Sequence, residues 1–210
     1  MTVMGLIPAR YGSQRIPRKN IADLGGIPLI QWTINAAKAS GIFDVLAIST
    51  DDSEVAEIAK LNNCLLIERP KELARAETEM LPVVKHARKA VPLAEAIVLL
   101  QPTSPFRTAE DVKLSYQQLK TYKADSIVSV VSAPQALAFE VGHAQRLREA
   151  KNIVVPNGAL YLITTEHLDS GGDWYDGYAY AYVMPKERSI DIDVHFDLEM
   201  ARLMLAQRAA

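Results

Sequence analysis

The 210-residue sequence predicts an α/β protein: one domain whose mostly parallel sheet carries helices on both faces. Three observations predict it. Five short apolar runs, at 3–7, 45–49, 65–67, 96–100 and 126–131, have the length and continuous hydrophobicity of strands buried on both sides. Segments of helical period lie between them, at 28–39, 53–61, 81–90 and 109–122. The repeated strand–helix–strand units require crossover connections, and these build parallel sheets.

The boundaries have local causes. Pro28 suits the first turn of a helix, where its missing N–H costs nothing. Thr108 followed by Asp111 resembles a capping box, with Asp in the place usually taken by Glu. After Val131 the period is lost: residues 132–156 mix Pro134, Gly142, His143, Arg146, Arg148 and Lys151, and read as an excursion from the core rather than a second domain. A strand returns at 159–164. Residues 178–183 alternate Tyr and Ala, the pattern of a half-buried strand. Residues 194–207 close the sequence as an amphipathic helix, with Phe196, Met200, Leu203 and Met204 expected toward the core.

Composition excludes several function classes. Hydrophobic residues make up 49% and charged ones 23%, the balance of a globular protein. Twenty-three Lys and Arg against 25 Asp and Glu leave a formal charge of −2, which argues against a general nucleic-acid surface. Cys64 is the only cysteine, so no intramolecular disulfide forms and a reducing compartment fits. No basic segment precedes the first apolar run, and no stretch of about 18 apolar residues exists. A cytoplasmic protein without a membrane span is therefore expected. The histidines at 86, 143, 167 and 195 lack metal spacing and read as structural or surface residues.

Three stretches carry chemistry. The first strand runs into Pro8-Ala9-Arg10-Tyr11-Gly12-Ser13-Gln14-Arg15-Ile16-Pro17-Arg18-Lys19-Asn20. Ligands of open α/β sheets bind at the carboxyl ends of the strands, so four basic residues there point to phosphate; a solvated basic loop is the alternative. Neither a GxGxxG nor a Walker-type P-loop pattern is present, which removes the main support for dinucleotide or P-loop binding. In Ser189-Ile190-Asp191-Ile192-Asp193, an extended backbone would project both carboxylates to one side. A pair of this kind suits Mg2+ shared with substrate phosphates, unless Asp193 merely caps the following helix. The third stretch, Gln101-Pro102-Thr103-Ser104-Pro105-Phe106-Arg107, is a polar turn after a strand, and by itself reads equally well as a rigid loop entering a helix.

Together these stretches, with Ser49-Thr50-Asp51, Arg69-Pro70-Lys71-Glu72-Leu73-Ala74 and Asn157-Gly158-Ala159, resemble the acylneuraminate cytidylyltransferases, the CMP-sialic acid synthetase family with its relatives for legionaminic and pseudaminic acids. The motifs follow the family's order and cover most of the sequence outside 132–155. The resemblance implies a Rossmann-like nucleotidyltransferase fold. It implies that the anomeric hydroxyl of a 2-keto acid sugar attacks the α-phosphorus of CTP and that pyrophosphate leaves. By similarity Arg10, Ser13 and Lys19 handle the triphosphate, Asn20 and Arg69 approach the nucleotide, Gln101 and Asn157 belong to the sugar site, and Asp191 and Asp193 bind Mg2+. Arg10, Lys19 and Asp193 are then the expected catalytic residues.

The sequence departs from the family in three places. Gln14 stands where several relatives carry lysine, so pyrophosphate contacts fall to Arg15 or Arg18. Met80 stands where Ser or Thr usually faces the base, which leaves nucleobase choice open. The excursion is shorter than the family's dimerisation arm, yet it retains apolar residues for a homodimer contact, and Arg146 or Arg148 to hold the sugar carboxylate. A KDO-type cytidylyltransferase is the nearest alternative, and a non-catalytic nucleotide-binding paralogue is the alternative from another class.

Overall fold

The structure, a computed structural model, describes residues 1–133 and 153–209. In chain order its main elements are β1 (Val3–Pro8), β2 (Asp23–Leu24), β3 (Ile27–Pro28), α1 (Leu29–Ser40), β4 (Val45–Thr50), α2 (Ser53–Leu61), β5 (Leu65–Glu68), α3 (Met80–Arg88), β6 (Ala96–Leu100), α4 (Ala109–Tyr122), β7 (Ser126–Ser132), β8 (Val154–Thr164), α5 (Thr165–Asp169), β9 (Ala179–Met184) and α6 (His195–Ala209).

Seven strands form one sheet in the order β5-β4-β1-β6-β8-β7-β9. All neighbouring pairs are parallel except the two made by β8, which runs antiparallel to β6 and to β7. The α/β class and the mostly parallel sheet expected from the sequence are thus present. Strand alternation divides the sheet residues between two cores: Val3 and Ile7 of β1 join Ala96, Val98 and Leu100 of β6 on one face, where α1, α2 and α4 pack. Met4 and Leu6 join Ile97 and Leu99 on the other face, under Val84 and Ala87 of α3.

β1 pairs with β4 on one side and β6 on the other, so the connections diverge at the carboxyl ends of β1 and β6. That is the topological position at which open α/β sheets leave a crevice. The β1–α1 connection contains the β2–β3 hairpin, whose turn uses Gly25 and Gly26 at φ 67° and 86°, a region open mainly to glycine. Strands of two residues are too short to register as periodicity in the sequence.

Thr108 and Asp111 do form a capping box at the start of α4. The expected face of α6 needs correction. Phe196, Met200 and Leu203 are 70%, 39% and 59% exposed, whereas Leu198 and Ala201 are buried and Met204 is partly buried. Apolar side chains lie all round this helix, so period alone does not select a face. The docking surface selects it: Ile16, Leu24, Leu29, Phe106 and Ile192 form a third core beside the crevice, and Leu198 and Ala201 fill it. Residues 134–152 of the excursion, Arg146 and Arg148 among them, lie outside the described residues.

Candidate active site

The crevice holds a cavity of about 310 Å³ lined by side chains from four parts of the chain. The loop after β1 supplies Arg10, Ser13, Gln14, Arg15, Lys19 and Asn20; the segment after β5 supplies Arg69 and Thr78. Gln101 and Thr103 come from the turn after β6, and Asp193 from the segment before α6. Hydrogen bonds shape the basic loop from within. Asn20 Nδ2 donates to Arg10 O at 3.0 Å, and Tyr11 N donates to Asp51 Oδ1 at 2.8 Å. Arg18 adopts φ 56°, which turns its side chain back along the loop.

That turn separates the two arginines that could replace a lysine at position 14. Arg18 is committed to the scaffold: its guanidinium pairs with Asp52 at 3.1 Å and Glu54 at 2.6 Å and lies 5.1 Å from the Tyr11 ring centroid. Arg15 instead lines the cavity. Arg69 is held rigidly, with Nε donating to Ser49 Oγ at 3.1 Å and Nη2 to Ser49 O at 2.7 Å. Burial pulls its pKa down to about 10, so it keeps its charge at neutral pH.

The acidic segment closes the opposite wall. Ile192 is fully buried while Asp191 and Asp193 remain exposed, so the alternation read from the sequence holds. Asp193 does not cap α6. Its own N–H and that of Val194 are both taken by Asp197 Oδ2, at 2.8 and 2.9 Å. The Asp193 carboxylate instead receives Lys19 Nζ at 3.0 Å and Arg15 Nη1 at 3.1 Å. Burial opposes its charge, but Lys19 and Arg15 outweigh this and hold its carboxyl below the ordinary value. Asp193 thereby neutralises part of the charge of the basic loop.

Asp191 makes no ion pair among the described residues. It keeps accessible area, yet the protein packed around it desolvates the carboxyl and raises its pKa; Thr103 and Lys19 offset this only in part, and the charge of Asp193 adds to it. Gly158, at φ 76°, leaves the space beside Asp191 open: a Cβ there would come within 3.1 Å of Oδ2. No cluster of three or more potential metal-ligating side chains occurs among the described residues. An unpaired, desolvated carboxylate within electrostatic range of a second one fits Mg2+, which takes one or two carboxylates and completes its shell with water and phosphate oxygens.

A second cavity, about 380 Å³, adjoins the first and shares Met80 and Gln101 with it. Its other lining residues are mainly apolar and aromatic, including Leu81, Leu99, Tyr161, Trp174 and Tyr175, with the Tyr161 and Trp174 rings 5.4 Å apart. The sequence reading missed this half of the site. Tyr161 was within reach, because alternation along β8 puts it on the same face as Ile163, where Trp174 also packs. Trp174 and Tyr175 sit on a loop whose path no period encodes.

Asn157 is buried and lines neither cavity. Its Oδ1 accepts from Ser129 Oγ at 2.6 Å, and its Nδ2 donates to Ser189 Oγ at 2.9 Å. Gln101 is placed by its backbone: Arg107, itself buried, donates from Nη1 to Gln101 O at 3.2 Å and to Ala159 O at 2.7 Å, tying the turn after β6 to β8. The structure therefore brings Arg10, Ser13, Lys19, Asn20, Arg69, Gln101 and Asp193 to the lining of one cavity, with Asp191 next to Asp193. Among the described residues, no helix is long and apolar enough to cross a membrane.

Among curated proteins, the chain is 32% identical to an N-acylneuraminate cytidylyltransferase of Escherichia coli over 95% of its own length and 51% of that protein's. It is 30% identical to N-acylneuraminate cytidylyltransferase B of Danio rerio over 93% and 49%. The chain thus spans about half the length of the curated relatives it matches. Among solved structures, a CMP:2-keto-3-deoxy-manno-octonic acid synthetase complexed with CTP superposes with TM-score 0.79 at 16% identity, covering 99% of this chain and 100% of the other. A 4-diphosphocytidyl-2C-methyl-D-erythritol synthase of Anaerococcus prevotii superposes with TM-score 0.70 at 13% identity, over 98% and 96%; both likenesses concern the fold. The family model described as Cytidylyltransferase matches residues 4–169, which hold six of the seven sheet strands and all of the first cavity's lining except Asp193. This chain belongs to the cytidylyltransferase family.

Proposed function

We propose that this chain transfers CMP from CTP to the anomeric hydroxyl of a 2-keto acid sugar of the sialic or legionaminic type and releases pyrophosphate. The observation that carries the reading is the pair of adjoining cavities joined at Gln101 and Met80. The basic cavity suits a triphosphate, and the apolar one suits a sugar bearing an acyl or deoxy substituent. The names of the curated relatives support the same sugar class.

In the proposed reaction the sugar oxygen attacks the α-phosphorus. The new O–P bond forms as the bond to the bridging oxygen of pyrophosphate breaks, and the hydroxyl proton passes to water. Arg10, Arg15 and Lys19 neutralise the triphosphate and the leaving pyrophosphate, with Ser13 as a further phosphate donor. Arg69 and Asn20 border the nucleotide, and Thr78, in the same cavity two residues before Met80, supplies a hydroxyl for the base. Gln101 lies where the two substrates meet. Mg2+ held by Asp191 and Asp193 would neutralise charge on the phosphates. Positioning and charge stabilisation account for such transfers, with little covalent work for the protein.

The test is pyrophosphate release across CTP, UTP and ATP, each with a panel of sialic, legionaminic and KDO-type acids. CTP with an acylated nine-carbon acid is expected to turn over best, and Trp174→Ala is expected to raise the KM for that sugar with little change in the KM for CTP. Preference for the KDO-type acid would assign the other branch, and no turnover with any pair would leave a nucleotide-binding paralogue.

A homodimer built on residues 132–156 belongs to the same proposal, with Arg146 or Arg148 receiving the sugar carboxylate; its support lies in the sequence. Light scattering is expected to give a dimer, and Arg146→Ala or Arg148→Ala a raised KM for the sugar. A fully active monomer, with KM unchanged in both variants, would refute it.

A further inference from the structure

The acidic segment has no regular secondary structure: residues 189–193 join neither the sheet nor a helix. Something other than a strand ladder must set where Asp191 and Asp193 point. Beside the contacts of Lys19 and Arg15, two side-chain ties do so without any cavity-lining residue.

The first tie is Asp111, the third residue of α4, whose side chain is almost fully buried. It accepts from Arg188 Nε at 3.0 Å and Nη2 at 2.7 Å, from Tyr182 Oη at 3.0 Å, and from the N–H and hydroxyl of Thr108 at 2.9 and 2.8 Å. Burial alone would raise its pKa, but these five donors hold its carboxyl below the ordinary value. Arg188 ends the short 3-10 turn Lys186–Arg188, three residues before Asp191. The bidentate fork fixes direction as well as distance.

The second tie is Asn157. Its amide binds Ser189 Oγ, and Ser189 Oγ donates in turn to Pro185 O at 2.8 Å. Asn157 is anchored on the far side by Ser129 of β7 and by the N–H of Ala159. Downstream, Ile192 N donates to Thr103 O at 2.8 Å. The segment is thus pinned immediately before the first carboxylate and between the two.

We propose that Arg188, through its fork on Asp111, and Asn157, through Ser189, are positioning residues that hold Asp191 and Asp193 in the geometry that receives a divalent cation. Neither touches the substrates. The proposal rests on the reading of Asp191 and Asp193 as metal carboxylates, and its test does not depend on turnover. A capping box alone would satisfy Asp111 with Thr108; the additional fork to Arg188 connects the helix to a segment with no ladder of its own.

The experiment titrates Mn2+ into the protein with CTP present and sugar absent, and reads free Mn2+ by electron paramagnetic resonance. CTP binding in EDTA is measured separately by calorimetry. Arg188→Ala is expected to weaken Mn2+ binding by about tenfold, the usual loss when a residue orienting a metal ligand is removed. CTP affinity in EDTA should stay within about twofold of the original, because Arg188 is remote from the basic wall. Arg188→Lys, which keeps the charge and loses the fork, should recover only part of the Mn2+ affinity. Ser189→Ala cuts the second tie with little loss of volume and provides the same readout if the Arg188 variants do not fold; it should also weaken Mn2+ binding. Unchanged Mn2+ affinity in the folded variants, even with lowered melting temperatures, would reduce both ties to scaffold and overturn the proposal. Absence of Mn2+ binding by the unsubstituted protein with CTP would remove the metal reading and this proposal with it, while a protein that binds Mn2+ but releases no pyrophosphate would contradict only the proposed reaction.

Discussion

Asp193→Asn is expected to lower turnover by about 100-fold or more, ~2.7 kcal/mol of barrier, while leaving the fold intact. The substitution keeps size and shape and removes one charge. Its structural cost is small because the side chain is exposed and because the backbone bond from residue 193 to Asp197 does not need the carboxylate. The expected loss comes from the site: on the proposed reading, the cation would lose one of its two protein carboxylates. EDTA should do the same to the unsubstituted protein. CTP affinity in EDTA provides a control with the opposite sign. Asp193 pairs with Lys19 and Arg15, so removing its charge should leave CTP binding undiminished or improve it. Full rates in metal-free buffer would sink the metal reading.

Arg10→Ala and Lys19→Ala should each cut kcat/KM by at least about tenfold, roughly 1.4 kcal/mol of barrier. The two differ in what else they disturb. The Arg10 guanidinium makes no hydrogen bond or ion pair among the described residues, so its loss should leave the melting temperature unchanged. Lys19 Nζ also donates to Ile192 O at 2.9 Å, so Lys19→Ala should loosen the acidic segment and lower stability slightly. Arg10→Ala is therefore the cleaner probe. Unfolding of both variants, with normal activity per folded molecule, would make the loop structural.

Much of the fold was legible in the sequence because the sheet is buried on both faces. A continuous apolar run such as 96–100 has few alternatives, and the helices between such runs force parallel connections. The capping box at Thr108 and Asp111 was legible for a similar reason, since its bonds lie within four residues. The basic loop and the acidic pair were readable because their charges have no place in a core.

Contacts between distant segments decided the rest. No local signal says that Arg18 turns to Asp52 and Glu54 while Arg15 enters the cavity; acids 34 and 36 residues away choose between two similar side chains. The face of α6 was undecidable from its own sequence, since apolar residues surround it and only the third core gives Leu198 and Ala201 a partner. The apolar cavity likewise exists only because the loop bearing Trp174 and Tyr175 folds against Leu99 and Tyr161. The sequence by itself determined the layers and the charged character of the basic loop and the acidic segment. The tertiary structure decided which charges are free to meet a ligand and which are spent on the scaffold, because a charge's role depends on the partner that reaches it, and those partners come from remote parts of the chain.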